Sequence, residues 1–155
     1  MTVTEFSHNK ARQLIPDDVL RSVFGVLEAV TWNFYGTTQE FRESRLRGLG
    51  QNGWSDSVRV DTRSKINITS IYDKTGLSVQ TGNTSRIYAD LLKLETLYKN
   101  KTITGAIYVV PTKQWVRSLE ASNMASFERL VEELNVFNAS ITLPLMVYGV
   151  QGVMK

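Results

Sequence analysis

The chain has 155 residues, 42% hydrophobic and 21% charged, close to ordinary globular usage and enough to bury about two-thirds of the surface its unfolded form exposes. That excludes a disordered or collagen-like polymer, and the lack of cysteine with a single histidine, His8, excludes disulfide scaffolds, thiol nucleophiles and Cys- or multi-His metal sites. Eighteen Lys and Arg against fifteen Asp and Glu leave a net charge of +3, which suits nucleic acid but equally an ordinary basic surface.

The basic residues are spread evenly, with no basic tail. No run approaches eighteen apolar residues, and the first residues lack the charged-then-apolar order of a secretory signal. The expectation is a cytoplasmic protein with no membrane association.

Residues 16–32 read as a helix, with Pro16 and two acids in its first turn and Val19, Val23, Leu27 and Val30 on one stripe. A second helix is predicted over 38–49, with Gly50 as its stop. Its Arg42, Arg45 and Arg47 are either a solvated face or a contact with a phosphate backbone. Three strands follow, over 57–61, 66–72 and 76–82, the last two joined at the turn Asp73-Lys74-Thr75-Gly76. Ile87, Leu91, Leu94 and Tyr98 form one stripe of a helix over 85–100. Residues 104–110, nearly all apolar and closed by Pro111, suit a strand buried on both faces. Helices over 113–120 and 125–134, the latter capped near Asn123, and a strand over 143–149 complete the chain.

The order α, α, β, β, β, α, β, α, α, β implies an α/β protein with a mixed sheet flanked by helices on both sides. No repeat or linker interrupts it. We expect one domain over 1–155, with N-terminal helices in 1–52 and the core in 53–149.

Several segments in a fixed order carry a resemblance: Leu77 to Arg86, then Tyr88-Ala89-Asp90, Leu97-Tyr98, Gly105 and Val109 to Lys113. To these are added Phe6-Ser7-His8, Gly53-Trp54, Ala125-Ser126-Phe127-Glu128 and Leu143-Pro144-Leu145. The set resembles the BglII and BstYI group of type II restriction endonucleases, which recognise sites built around GATC. The resemblance implies the restriction-endonuclease core, αβββαβ, duplex DNA as ligand, a homodimer, and Mg²⁺-dependent cleavage. The family's site is an Asp, a Glu nine positions later, and a Gln after one further residue. The carboxylates hold the ion, which acidifies a bound water and stabilises charge on the scissile phosphate.

That motif falls here on Thr69, Ser78 and Gln80, so both carboxylates are replaced by hydroxyls, which are weak ligands for a hard cation. The expectation is a non-functional site with no cofactor. Asp73 lies about 13 Å beyond Thr69 along an extended strand, and Asp61 and Glu95 have no spacing that selects them. An active enzyme would need Mg²⁺ held by a site rebuilt around Asp73 or Asp61.

The resemblance also assigns a DNA-facing surface: Asn83 and Ser85 after the Gln80 strand, Asn123 and Ser126 before the late helix, and Arg86 and Lys113 toward phosphates. Each has a plainer reading, with Asn83 and Asn123 in turns or caps, Ser85 capping a helix and Arg86 a first-turn surface charge. His8 reads as a structural hydrogen-bonding residue, and Trp32, Trp54 and Trp115 as core or interface aromatics. The resulting expectation is a catalytically inactive relative that keeps dimerisation and DNA binding. The alternatives are an inhibitor or regulator that associates with an active nuclease, or the rebuilt enzyme.

Overall fold

The computed structural model describes residues 1–30, 32 and 38–152. Among these described residues thirteen elements follow one another: β1 (Thr2–His8), α1 (Ala11–Leu14), α2 (Asp17–Ala29), α3 (Thr38–Gln51), β2 (Val58–Arg59), β3 (Asn67–Ile68), β4 (Ser70–Tyr72), β5 (Thr75–Val79), α4 (Arg86–Lys99), β6 (Gly105–Pro111), α5 (Lys113–Ser118), α6 (Phe127–Val136) and β7 (Leu145–Gln151). The central sheet has the order β1-β7-β6-β5-β4, and β2-β3 form a separate small sheet. The β5-β6 and β6-β7 pairs are parallel and the two outer pairs antiparallel, so the sheet is mixed, as the element order implied.

The buried strands divide their side chains between two cores with the period of two that a pleated strand imposes. Ile107 and Val109 of β6, with Met146, Tyr148 and Val150 of β7, face Val19, Val23, Leu27 and Trp54. Ala106, Tyr108 and Val110, with Leu145 and Val147, face Ile87, Leu91 and Leu94 of α4 and Leu130 and Leu134 of α6. A strand apolar at every position, such as 105–111, is what a sheet covered on both sides requires. Trp54 and Trp115 are buried and Trp32 is partly so. The buried His8 Nε2 lies 2.7 Å from the Ile141 carbonyl, the structural contact expected of it.

Several expected boundaries are corrected. β1 and α1 have no counterpart in the sequence reading. β1 is an edge strand of mostly polar residues, and Val3 and Phe6 pack on opposite cores, so no stripe marks it. α2 ends at Ala29 with Val30 extended, short of the expected 32, and Thr31 lies outside the described residues. Gly50 does not stop α3, which runs through it to Gln51; there a Cβ would meet nothing, so the helix passes an open position. The expected strand over 66–72 is two strands. Asn67–Ile68 pairs with β2, Ser70–Tyr72 pairs with β5, and the chain changes sheets at Thr69. Ser55 drives this break: its hydroxyl accepts the Ile71 N–H at 2.9 Å and its carbonyl accepts the Ser70 hydroxyl at 2.6 Å.

The expected hairpin exists, and its two-residue loop is Asp73-Lys74, with φ of 45° and 57°. Two successive positive φ values are those of a type I′ turn, whose twist matches that of the flanking strands. The Thr104 N–H holds the Lys74 carbonyl at 2.8 Å and fixes the turn against the entry to β6.

Candidate functional site

β4 has only three residues, so the end of β5 is left uncovered beside it. There an open cleft of ≈1000 Å³ forms between α3 and α4. Thr69, Ser78 and Gln80, the three positions aligned with the nuclease motif, all line it. Thr69 crosses between the sheets directly opposite β5: its N–H donates to the Leu77 carbonyl at 3.1 Å, and its Oγ1 accepts the Val79 N–H at 3.2 Å. The Ser78 side chain is buried on the α4 side of β5, like its neighbour Gly76, which faces Leu94 and Ile103.

Two carboxylates line the cleft, Glu43 of α3 and Asp90 of α4, neither of them among the three weighed from the sequence, and Asp90 is the one bonded to Gln80. Asp90 of α4 accepts the Gln80 side-chain amide at 2.5 Å, the Tyr108 hydroxyl at 2.8 Å and the Lys93 ammonium at 3.1 Å. The Gln80 carbonyl oxygen is occupied as well, accepting the Gly82 N–H at 2.8 Å. Burial, and then the charge of Asp90, raise the Tyr108 phenol well above its usual range, so Tyr108 stays a donor to Asp90 at any ordinary pH.

The other acids are engaged elsewhere. Asp61 forms an ion pair with Arg63 at 3.0 Å within its own turn, and Asp73 sits at the tip of the hairpin; neither lines the cleft. The buried Glu95 accepts the N–H groups of Thr142 and Leu143, each at 2.9 Å, and so fixes the approach to β7. Among the described residues no three carboxylates or imidazoles are grouped so as to hold a metal ion. Two hydroxyls, an engaged amide and a carboxylate already serving three donors, one of them an ammonium, are a poor donor set for Mg²⁺. The residues present do not fit the ion that the family's chemistry would use.

Of the expected DNA-facing residues, Asn83, Ser85 and Asn123 fall on one ridge, Arg86 and Lys113 line clefts beside it, and Ser126 is buried. The segment after β5 and the segment before α6 are stitched together by hydrogen bonds from Thr84 N to the Asn123 carbonyl and from Ala125 N to the Gly82 carbonyl, both 2.8 Å, around an Asn83–Met124 bridge. Asn83, Ser85 and Asn123 are exposed on it, whereas Ser126 is buried at the start of α6. Asn83 is a turn residue, its Oδ1 accepting the Ser85 N–H at 2.9 Å. The cap of α6 is Ser126, not Asn123, and neither Ser85 nor Ser126 caps its helix through its hydroxyl.

Each side of the ridge has a cleft. One is the cleft of Gln80, which Arg86 also lines. The other, of ≈570 Å³, is lined by Thr84, Lys113, Ser126, Arg117, Arg129 and Glu132, among others. The first carries four cations, Arg42, Arg45, Arg86 and Lys93, against Glu43 and Asp90. Arg47, on the same helix, does not line it. Asp90 was within the quoted resemblance but its role was missed; the available signal was its place beside Ile87, Leu91 and Leu94 on the apolar side of α4.

Among the described residues no helix is long and apolar enough to cross a membrane. The fold aligns with two crystal structures of BglII. One is complexed with a DNA 16-mer, with TM-score 0.80, 12% identity, and coverage of 99% of this chain and 78% of that one. The other is free BglII, with TM-score 0.67, 14% identity, and coverage of 99% and 81%. Among curated proteins no sequence matches significantly. The profile of the family described as restriction endonuclease BglII/BglIII matches residues 3–150, nearly the whole chain, and the protein therefore belongs to the BglII restriction endonuclease family.

Proposed function

We propose that this protein is a non-cleaving member of the BglII family that acts in the cytoplasm as a homodimer on duplex DNA, at a site of the GATC type. One observation supports the loss of cleavage: Thr69 and Ser78, which the resemblance aligns with the family's acids, line one cleft as hydroxyls, and Asp90 in the same cleft is tied to Gln80, Tyr108 and Lys93. DNA binding is supported by membership of the BglII family and by the ridge of Asn83, Ser85 and Asn123 between two clefts with cationic walls. Exposed amides and hydroxyls suit base edges in the major groove, while Arg86 and Lys113 suit phosphates.

Dimerisation is supported by an apolar surface shared by α4 and α6. Leu92 is 64% exposed and Val136 72%, beside a Tyr88–Phe137 edge-to-face pair with centroids 6.1 Å apart. Exposed large apolar side chains on neighbouring helices favour a protein partner over water. The same surface serves the second reading, a regulator that pairs with an active nuclease.

Plasmid incubated with the protein and Mg²⁺ or Mn²⁺ should remain supercoiled, while a labelled GATC duplex is retarded and released by salt. Nicking lost on Asp73→Ala or Asp61→Ala would establish the rebuilt enzyme instead. Binding to an active relative with no DNA present, and none to the duplex, would establish the regulator.

A further inference from the structure

We propose that the guanidinium of Arg45, with Arg42 beside it, receives a backbone phosphate of duplex DNA directly in the Gln80 cleft, with no divalent ion between them. The proposal rests on the DNA-binding reading and assigns the ligand of one cation within it. Arg45 lines the cleft from α3, with its guanidinium carbon 5.8 Å from the centre of the Phe41 ring. Its Nε is buried and has no hydrogen-bond partner. Nε itself is covered by protein, so an acceptor entering the cleft would meet the terminal Nη groups of the same cation, which has no ion pair among the described residues to neutralise it.

No ion pair among the described residues involves Arg42, Arg45 or Arg86. Burial, and then the proximity of Arg42, lower the pKa of Arg45, the signature of a cation held without a counter-charge. The opposite wall explains why an anion can approach. Two carboxylates would repel a phosphate unless a metal ion stood between them, whereas Thr69 and Ser78 carry no charge and Asp90 is already neutralised by Lys93. A guanidinium fork matches the paired oxygens of a phosphodiester, which an ammonium cannot do as well. The replacements that remove the metal's ligands therefore also open the cleft to the phosphate itself.

The test is the binding of a fluorescent GATC duplex, followed by anisotropy across a salt series in chelator and in excess Mg²⁺ at matched ionic strength. The expected result is equal affinity in the two conditions, weakened about tenfold in both by Arg45→Gln, with the salt slope reduced by about one. Arg45→Lys should recover part of the loss, and Arg47→Gln, on the same helix outside the cleft, should leave binding unchanged. If Arg45→Gln does not fold, the exposed Arg42→Gln must reproduce the weakening. Wild-type binding that needs Mg²⁺, or that neither variant alters, overturns the proposal and leaves the DNA reading standing. Failure of the wild type to bind in either condition overturns both.

Discussion

The Asp90 carboxylate accepts the Gln80 amide at 2.5 Å and the Tyr108 hydroxyl at 2.8 Å, joining the helix that crosses between β5 and β6 to the residue just after β5 and to β6 at one point. Asp90 is 7% exposed, and those two donors together with Lys93 satisfy its oxygens. Asp90→Ala leaves three donors without their acceptor and should lower the free energy of unfolding by about 2–4 kcal/mol, read from urea denaturation. A loss below about 0.5 kcal/mol, the size of an ordinary surface change, would show that the network does not hold α4 to the sheet.

Restoring the motif should recreate the demand for a metal ion. Thr69→Asp with Ser78→Glu adds two carboxylates next to Asp90, so in chelator their repulsion should lower the melting temperature by several degrees, and Mn²⁺ should recover it. The wild type should show no Mn²⁺ shift. A flat calorimetric trace for Mn²⁺ with the double variant would count against aligning Thr69 and Ser78 with the family's acids.

The two buried tyrosines predict the alkaline limit of stability. Burial and Asp90 raise Tyr108, and burial pushes Tyr148 up to about 12. Unfolded tyrosines ionise near pH 10 while these two keep their protons, so their contribution is complete below about pH 10 and falls above it by about 1.4 kcal/mol per pH unit for each. At neutral pH the two should respond differently to loss of the hydroxyl. Tyr108→Phe removes a donor to Asp90 and should cost about 1–2 kcal/mol, whereas the Tyr148 hydroxyl has no partner and Tyr148→Phe should be neutral or stabilising. Denaturant titrations at several pH values separate the two.

Leu92→Glu with Val136→Glu should convert the proposed dimer to a monomer in analytical ultracentrifugation without altering the circular dichroism spectrum, since both side chains are exposed. A monomeric wild type at micromolar concentration would remove the homodimer from the reading.

Asn83→Ala and Ser85→Ala should flatten discrimination between GATC and altered duplexes, each lost base contact being worth about 1–3 kcal/mol. Arg86→Ala should weaken all duplexes alike. Competition binding with single-base variants makes the distinction, and uniform effects from all three substitutions would mean that the ridge does not read bases.

The central architecture was legible because its signals are periodic. The β6 run, the Ile87–Leu91–Leu94 stripe and the Asp73-Lys74 turn each follow from burial or backbone sterics acting over a few residues. β1 was not legible, because an edge strand needs little apolar patterning and gains its order from β7 at the other end of the sequence. Nor was the break at Thr69, which depends on Ser55, distant in sequence. Thr69, Ser78 and Gln80, which the resemblance aligns with the motif, do line one cleft. Asp90 shows what was left unread: Ile87, Asp90, Leu91 and Leu94 have the i, i+3, i+4, i+7 spacing of a buried face, and an acid in that register implies partners across the core.

The pairing of β1 with β7 also bears on biosynthesis. Thr2 lies opposite Gln151, and β7 sits between β1 and β6, so β1 has no neighbour in the sheet until β7, far along the chain, has been synthesised. Closing so long a loop late makes assembly of the sheet slow, and chaperones would have an extended interval in which to engage the nascent polypeptide.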